Sequence, residues 1–301
     1  MIIQNHLTAA SFLDCAGSWL GGSEIENSLV LGLAARREAR ERQGTLSDSE
    51  PAWLFASVHD QLSGPPRGAA MMTPGHPLLL AGGRESRQIC IALSTWLLRN
   101  HYKLPGVLGR EDLATCFADH WCLETHQRVR VIRQEKIHQL KEPNLRAPTG
   151  VQGSLRHAGS ASDKAGKDSD HTTIARWMRQ FHDEAVPEDP VPDIERLVRR
   201  HIDEGSIFLW DIGRPVSMAV HVRSARSAAS VSGVFTPSSE RGKGYASACV
   251  AALCKRLFRE GFATCVLYTD LANPTSNRIY RRIGFAPVCD ARHLSFAPTD
   301  R

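Results

Sequence analysis

Val234-Phe235-Thr236-Pro237-Ser238-Ser239-Glu240-Arg241-Gly242-Lys243-Gly244-Tyr245-Ala246 is the stretch from which the rest of this chain is best read. The apolar run Ala228 to Thr236 before it predicts a strand. Ala246, Val250, Leu253 and Leu257 after it recur at helical spacing and predict a helix that runs to Glu260. Between them lies a short turn holding Gly242 and Gly244, residues that tolerate positive φ and let a ligand come close to the main chain. Successive amides in such a turn form a nest, and the helix start behind them adds a partial positive charge, a combination that suits a pyrophosphate. Arg241 and Lys243 would add charge-assisted contacts. The stretch matches neither Gly-x-x-x-x-Gly-Lys-Ser/Thr nor Gly-x-Gly-x-x-Gly. By itself it is also compatible with a plain tight turn.

A second stretch follows, from Tyr268 to Phe285. Asn273 before Pro274 is a helix start, with Asn as cap and Pro in the first helical position, and Gly284 is a stop. Asn273, Asn277 and Tyr280, four and three residues apart, share one face of that helix, while Ile279 and Ile283 share another, read as the buried one. Two amides and a phenol on one face would line a cleft. A cap, a solvated amide and a packing tyrosine account for the same residues equally well.

Taken together, the two stretches resemble the GNAT N-acetyltransferase superfamily. Arg241, Gly244 and Ala246 match its Arg/Gln-x-x-Gly-x-Gly/Ala signature, and Asn273, Tyr280, Gly284 and Phe285 match the signature that follows. The resemblance implies a mixed sheet splayed between the strands at 228–236 and 263–268, with acetyl-CoA as co-substrate in the wedge. It implies that the backbone of Val234, Phe235 and Thr236 holds the pantetheine arm. The turn of Arg241, Gly242, Lys243, Gly244, Tyr245 and Ala246 would hold the pyrophosphate, and Asn273 and Asn277 would lie by the pantetheine. Tyr280 would be the general acid for the leaving thiolate. The strand Ala228 to Thr236 carries no carboxylate, so the base stays open among His221, Asp211, Asp270, a water relay and an amine that arrives already neutral. The implied activity is N-acetylation of a primary amine on a small molecule or peptide, by direct attack in a ternary complex. A non-catalytic acyl-CoA sensor is the alternative.

Working outward, the C-terminal half reads as helices at 171–184 and 193–203, then strands at 207–210, 216–222 and 228–236. A helix, a strand at 263–268, the helix at 273–283 and a last strand at 285–289 complete an α/β domain with a mixed sheet. The stretch 150–170 is rich in Gly, Ser, Asp and Lys and reads as a loop or linker, with Ser154-Leu155-Arg156 as a possible first strand. Domains are therefore expected at 1–148 and 149–301. The first half reads as a helix at 24–42, strands at 52–58, 68–72 and 78–81, helices at 85–101 and 109–124, and a strand or hairpin element at 128–140. Its pattern resembles a degenerate GNAT-like front domain, but it lacks the glycine signature, so no CoA site is assigned to it.

Composition bounds the rest. At 301 residues, 42% hydrophobic and 23% charged, the chain has enough apolar material for a core without disulfide or metal staples. A net charge of +5, spread in small clusters, falls short of the basic tracts of a nucleic-acid binder. The eight cysteines lack Cys-x-x-Cys and zinc spacing, and read as reduced, mostly buried thiols with no metal. No long apolar run or leader pattern occurs, which points to a cytoplasmic protein with no membrane partner.

Overall fold

The computed structural model describes residues 1–47, 49–83, 86–159, 169–189 and 191–298. Part of the expected linker, 160–168, lies outside the described residues. The first half runs β1 (Ile2–Asn5), α1 (Ala9–Gly21), α2 (Ser28–Arg42), β2 (Leu54–His59), β3 (Gly68–Met72), β4 (Leu78–Gly82), α3 (Ser86–Arg99), β5 (Gly106–Arg110), α4 (Glu111–Thr125) and β6 (Gln127–Lys141). The second half repeats that order: β7 (Ser154–His157), α5 (Asp170–Ala185), α6 (Ile194–Asp203), β8 (Ile207–Asp211), β9 (Pro215–Ser224), β10 (Ala228–Phe235), α7 (Tyr245–Arg259), β11 (Thr264–Asp270), α8 (Pro274–Ile283) and β12 (Ala286–Pro298).

The expected elements are present, with three additions. The sequence reading passed over β1, α1 and β5 and ended β12 far too early. Strand β5, Gly-Val-Leu-Gly-Arg, is short, glycine-rich and runs straight into α4, so its pattern merges with the helix. In β12, Asp290, Arg292 and His293 interrupt the apolar run, because much of this strand is only half buried. The helix expected from residue 24 begins at Ser28, after a turn that the first half uses for another purpose, described below.

All strands join one 12-stranded mixed sheet in the order β1-β2-β3-β4-β5-β12-β6-β11-β10-β9-β8-β7. Neighbours are antiparallel except β4 with β5 and β10 with β11, which are parallel. The two halves are therefore related by an approximate dyad through the β6–β12 pair. Their last strands are exchanged across it: β6, from the first half, pairs with β11 of the second, and β12, from the second half, pairs with β5 of the first. Between them β6 and β12 pair from Gln127 and Pro298 at one end to Gln139 and Ala286 at the other. Each half thus completes the other's sheet, so two successive stretches of sequence make one continuous layer.

Helices α7 and α8 bury Leu253, Leu257, Tyr280 and Ile283 against Leu140, Cys265 and Leu267 on one face. On the same face, α3 and α4 pack over β5 and the far end of β12, around Leu113, Phe117, Leu294 and Phe296. The opposite face carries α1 and α2 over the first half and α5 and α6 over the second. At the centre of that opposite face, Ile25 from the α1–α2 turn packs against a small cluster of Ile137, Ala228, Val266 and Ala291. Beside it, the Glu24 carboxylate accepts from the amides of Ser227 and Ala228 at 2.6 and 3.0 Å, clasping the β9–β10 turn of the other half. Arg36 and Glu204 add an ion pair between halves at 2.8 Å.

Candidate functional site

The parallel strands β10 and β11 pair only from Ala228 to Ser230 and from Thr264 to Val266. Beyond those residues Val231–Phe235 and Leu267–Asp270 continue without pairing to each other, though each stays paired to its outer neighbour, so the sheet opens into a wedge. The cause lies in β10. Its register against β9 slips between Ser230 and Val231 and again between Ser232 and Phe235. Gly233, at φ 56°, makes the second slip possible; a side chain there would also press to 2.9 Å on Val220 Cγ2. The bulge rolls Phe235 towards Trp177 on α5 and bends the strand away from β11.

At the mouth of the wedge the chain turns into α7. Gly242 and Gly244 have φ of 79° and 83°, and Gly244 caps the helix with no side-chain bond to its first amides. The Arg241 amide donates to Ser238 O, which takes it out of the expected cradle. From Gly242 to Ser247, no main-chain amide donates to another group among the described residues. A Cβ built on Gly242 meets nothing within 4 Å, so the turn is open there, whereas one on Gly244 would meet Val151 Cγ2 at 3.1 Å. These orphan donors and the helix dipole fit a diphosphate.

The charged residues of the turn hold it in shape. Arg241 donates through Nε to Thr236 O at 2.9 Å and through Nη2 to Glu184 at 2.6 Å, and its guanidinium lies over the Phe235 ring. Lys243 and Arg214 both donate to the buried Glu240 carboxylate, at 3.0 and 2.7 Å. Those two cations, Lys243 foremost, hold the Glu240 carboxyl below the usual carboxylate range. Ser217 Oγ donates to Phe235 O at 3.1 Å and lies 2.9 Å from Thr236 Oγ1, fixing the strand end. Ser217, Glu240 and Glu184 form part of this frame, and no local pattern marked them, since their partners come from β9, α5 and the turn itself. Val234, half buried, packs against the helix-face core, and Tyr245 and Ala246 form the exposed-to-intermediate first turn of α7.

On α8, Asn273 caps the helix by accepting from the Ser276 amide at 3.0 Å and is exposed. Asn277 is buried and fully engaged: it donates to Asp270 O and Asn273 O and accepts from Thr269 Oγ1 at 2.7 Å. Its amide ties α8 to the end of β11, with both N–H donors spent inside the protein. Contrary to expectation, Asn277, Tyr280 and Ile283 form the buried side, with Ile279 only half buried. Tyr280 is 9% exposed, edge-on to Phe285, and its hydroxyl makes no hydrogen bond among the described residues. Burial, together with nearby Cys254 and Cys249 on α7, pushes its pKa well above the ordinary phenol value. Tyr280 stands on the helix that covers the wedge.

The candidate bases separate clearly. Asp211 sits on β8 in an ion pair with Arg156 at 2.7 Å. His221 lies against Phe262, at the closed end of the wedge. Asp270 alone stands at the open end of β11.

The dyad supplies an internal comparison. The equivalent strands β4 and β5 pair from Leu78 to Leu80 and from Val107 to Gly109, then end at Gly82 and Arg110. Arg110 is the last residue of β5, as Asp270 is of β11. Its guanidinium donates to Gly82 O and Gly83 O at 3.3 and 3.4 Å, bridging the gap, and is also paired with Asp112 and Glu26. The hydrogen bond from Arg110 to Asp112 drives its pKa still higher, so the plug is always charged. One wedge is stitched shut and the other is open. A concavity of about 960 Å³ on the outer face of α4, lined by Arg87, Arg110, Glu111, Asp112 and His120 among others, holds none of the residues of the open wedge.

Replacing Gly242 by aspartate is expected to weaken acetyl-CoA binding at least about tenfold, because a carboxylate would face the diphosphate across the open turn. Calorimetry checks it, and an unchanged affinity would detach the turn from the ligand.

The acetyltransferase (GNAT) family profile matches residues 172–285. No curated protein sequence matches the chain significantly. Among solved structures, a Drosophila protein superposes with a TM-score of 0.68 at 12% identity, covering 99% of each chain. A GCN5-related N-acetyltransferase from Sphaerobacter thermophilus gives 0.57 at 17% identity, over 100% of this chain and 97% of that one. A tandem GNAT protein from the clavulanic acid biosynthesis pathway gives 0.53 at 14% identity, over 99% and 100%. At these identities the likeness is one of fold, and it extends over both halves.

Proposed function

Because residues 172–285 carry a GNAT-family acetyltransferase domain within a fold shared end to end with tandem members, we propose that this chain transfers acetyl from acetyl-CoA to a primary amine of a small molecule or peptide, by direct attack in a ternary complex. The observation that carries the reading is the row of unsatisfied amides from Gly242 to Ser247 at the mouth of an open wedge.

The main-chain donors of the turn bind the diphosphate. The unpaired edges of Val231–Phe235 and Leu267–Asp270 leave ladder groups for the pantetheine amides, and Asn273 lies at the same opening. The thioester arrives already activated, so alignment supplies most of the catalysis. Tyr280 directs its proton at the departing thiolate. The frame of Ser217, Glu240 and Arg241 keeps the turn in its binding shape before the ligand arrives, which lowers the ordering cost of association.

The first half acts as scaffold and partner, without a second site, since Arg110 bridges the space that a pantetheine would need. Calorimetry with acetyl-CoA, followed by thiol release with a panel of primary amines, tests the reading. Binding at one site per chain with amine-dependent thiol release is expected. Binding without release would instead mark an acyl-CoA sensor, and no binding would end the assignment.

A further inference from the structure

We propose that Cys15 on α1 is a nucleophilic thiol with His59 of β2 as its base, and that it forms a mixed disulfide with small disulfide compounds. The site is independent of the acetyl-transfer reading. It lies at the β1–β2 edge of the sheet, in the half whose wedge is bridged.

His6 directly follows β1, and Ser57 and His59 lie on β2; all three are 3% exposed or less. Cys15 stands over them, half buried, with Sγ 3.7 Å from His59 Nε2 and 3.6 Å from Ser57 Oγ. His59 Nδ1 is 3.1 Å from Gly64 O. A carbonyl only accepts, so the ring proton sits on Nδ1, and Nε2 of the neutral ring is a bare acceptor beside the thiol. Ser57 Oγ is also 2.8 Å from Nε2 of both His59 and His6, and His6 Nδ1 is 3.2 Å from Ser11 Oγ. When the thiol proton crosses to His59, the new N–H faces the sulfur and Ser57 Oγ. Ser57 then donates to His6 Nε2, and His6 Nδ1 donates to Ser11. The thiolate–imidazolium pair thus keeps every ring nitrogen hydrogen-bonded. Burial, and then the neighbouring His59, lower the pKa of His6, which keeps His6 neutral and leaves the charge to His59.

The fold does not require these groups. The His6 amide donates to Phe55 O at 2.9 Å, as the Ala158 amide of the second half does to Ile207 O at 3.0 Å, which matches the two edges residue by residue. At the position of His6 stands Ala158, and at that of Ser57 stands Leu209, both inside an apolar cluster. One edge is closed by dry packing. The other buries two imidazoles and a hydroxyl in the same place and sets them beneath a cysteine. Such an arrangement stays costly unless every member is hydrogen-bonded.

The atoms balance. The Cys15 sulfur attacks one sulfur of the disulfide as the S–S bond breaks. The thiol proton passes to His59 Nε2 and from there to the departing thiolate. One thiol is consumed and one released, so no further oxidant is needed. Cys15 hydrogen-bonds no second cysteine among the described residues, so the mixed disulfide stays on the protein. The other thiols are set apart from this chemistry. Cys90, Cys249, Cys254 and Cys265 are buried, and burial pushes Cys249 up to about 12 and Cys289 up to about 11. Cys116 and Cys122 are half buried, and neither hydrogen-bonds an imidazole among the described residues.

The test uses dithiobis(nitrobenzoate), a small aromatic disulfide, on the whole chain at about pH 7, with released thiol followed by absorbance and the adduct located by peptide mass. One fast equivalent on Cys15 is expected, at least about tenfold faster than N-acetylcysteine reacts under the same conditions. In His59→Asn the amide keeps a donor for Gly64 O while the Nε2 acceptor is gone. The Cys15 rate should then fall at least about tenfold, with an unchanged melting temperature. Cys15→Ser should lose the fast equivalent. A first adduct on Cys116 or Cys122 would overturn the proposal, as would a Cys15 no faster than the free thiol, or one whose rate survives His59→Asn. Should His59→Asn fail to fold, the comparison with the free thiol decides alone.

Discussion

Tyr280→Phe is expected to lower kcat for thiol release by about a hundredfold or more, with acetyl-CoA affinity changed by less than about threefold. The hydroxyl is the only atom lost. The ring keeps its contact with Phe285 and its place in the core, so stability should move little. The hydroxyl has no acceptor among the described residues, so the substitution leaves no orphaned partner among them. Its raised pKa also fixes a sign. A phenol pushed upward by burial remains protonated throughout the neutral and mildly alkaline range. Any fall in kcat on the alkaline side below about pH 10 must then come from another group, and the wild type and Tyr280→Phe should show it at the same pH. Full proton transfer from such a phenol to a thiolate is uphill, so in the proposed reaction Tyr280 would donate to the thiolate as charge develops. Equal turnover in the mutant would remove Tyr280 from the chemistry.

Separating the halves is expected to have the larger structural effect. A fragment of residues 149–301 retains the glycine turn, Tyr280 and the whole length matched by the GNAT profile. It loses β6, and with it the buried Ile137 and Leu140 and the strand that pairs with both β11 and β12. The open edge of β11 and the orphaned β12 would then present unpaired ladder groups, a template for association. The fragment should fail to bind acetyl-CoA as a monomer and should elute as aggregates, or as a dimer that exchanges β12 between copies. Adding the 1–148 fragment during refolding should restore a one-to-one complex that binds acetyl-CoA. Size-exclusion chromatography and calorimetry report both outcomes. A monomeric 149–301 fragment with the affinity of the whole chain would show that the exchange is dispensable.

The glycine turn and the α8 signature were legible because each is a local device. Caps, positive-φ glycines and helix starts depend on residues a few positions apart, and Asn273, Pro274 and Gly284 stand in the structure where their chemistry placed them. The polar face of α8 was misjudged for the opposite reason. Whether Asn277 meets a ligand or the protein depends on Thr269 and the carbonyl of Asp270, which belong to β11. Arg241 and Lys243 were likewise legible as cations near a phosphate site. Their partners, Glu184 and Glu240, turned them into braces for the main chain.

By itself, the sequence determined most of the element order, though not β1, α1 or β5, together with the glycine turn before α7, the phenol on α8 and the lack of a glycine signature in the first half. Only the tertiary structure decided that the last strands of the two halves change places and that Arg110 bridges one wedge while the other stays open. The reason is physical. A strand's alternation tells which residues share a face, but its hydrogen-bonding groups are the same along every strand, so the neighbour it chooses is settled by contacts far away in the chain.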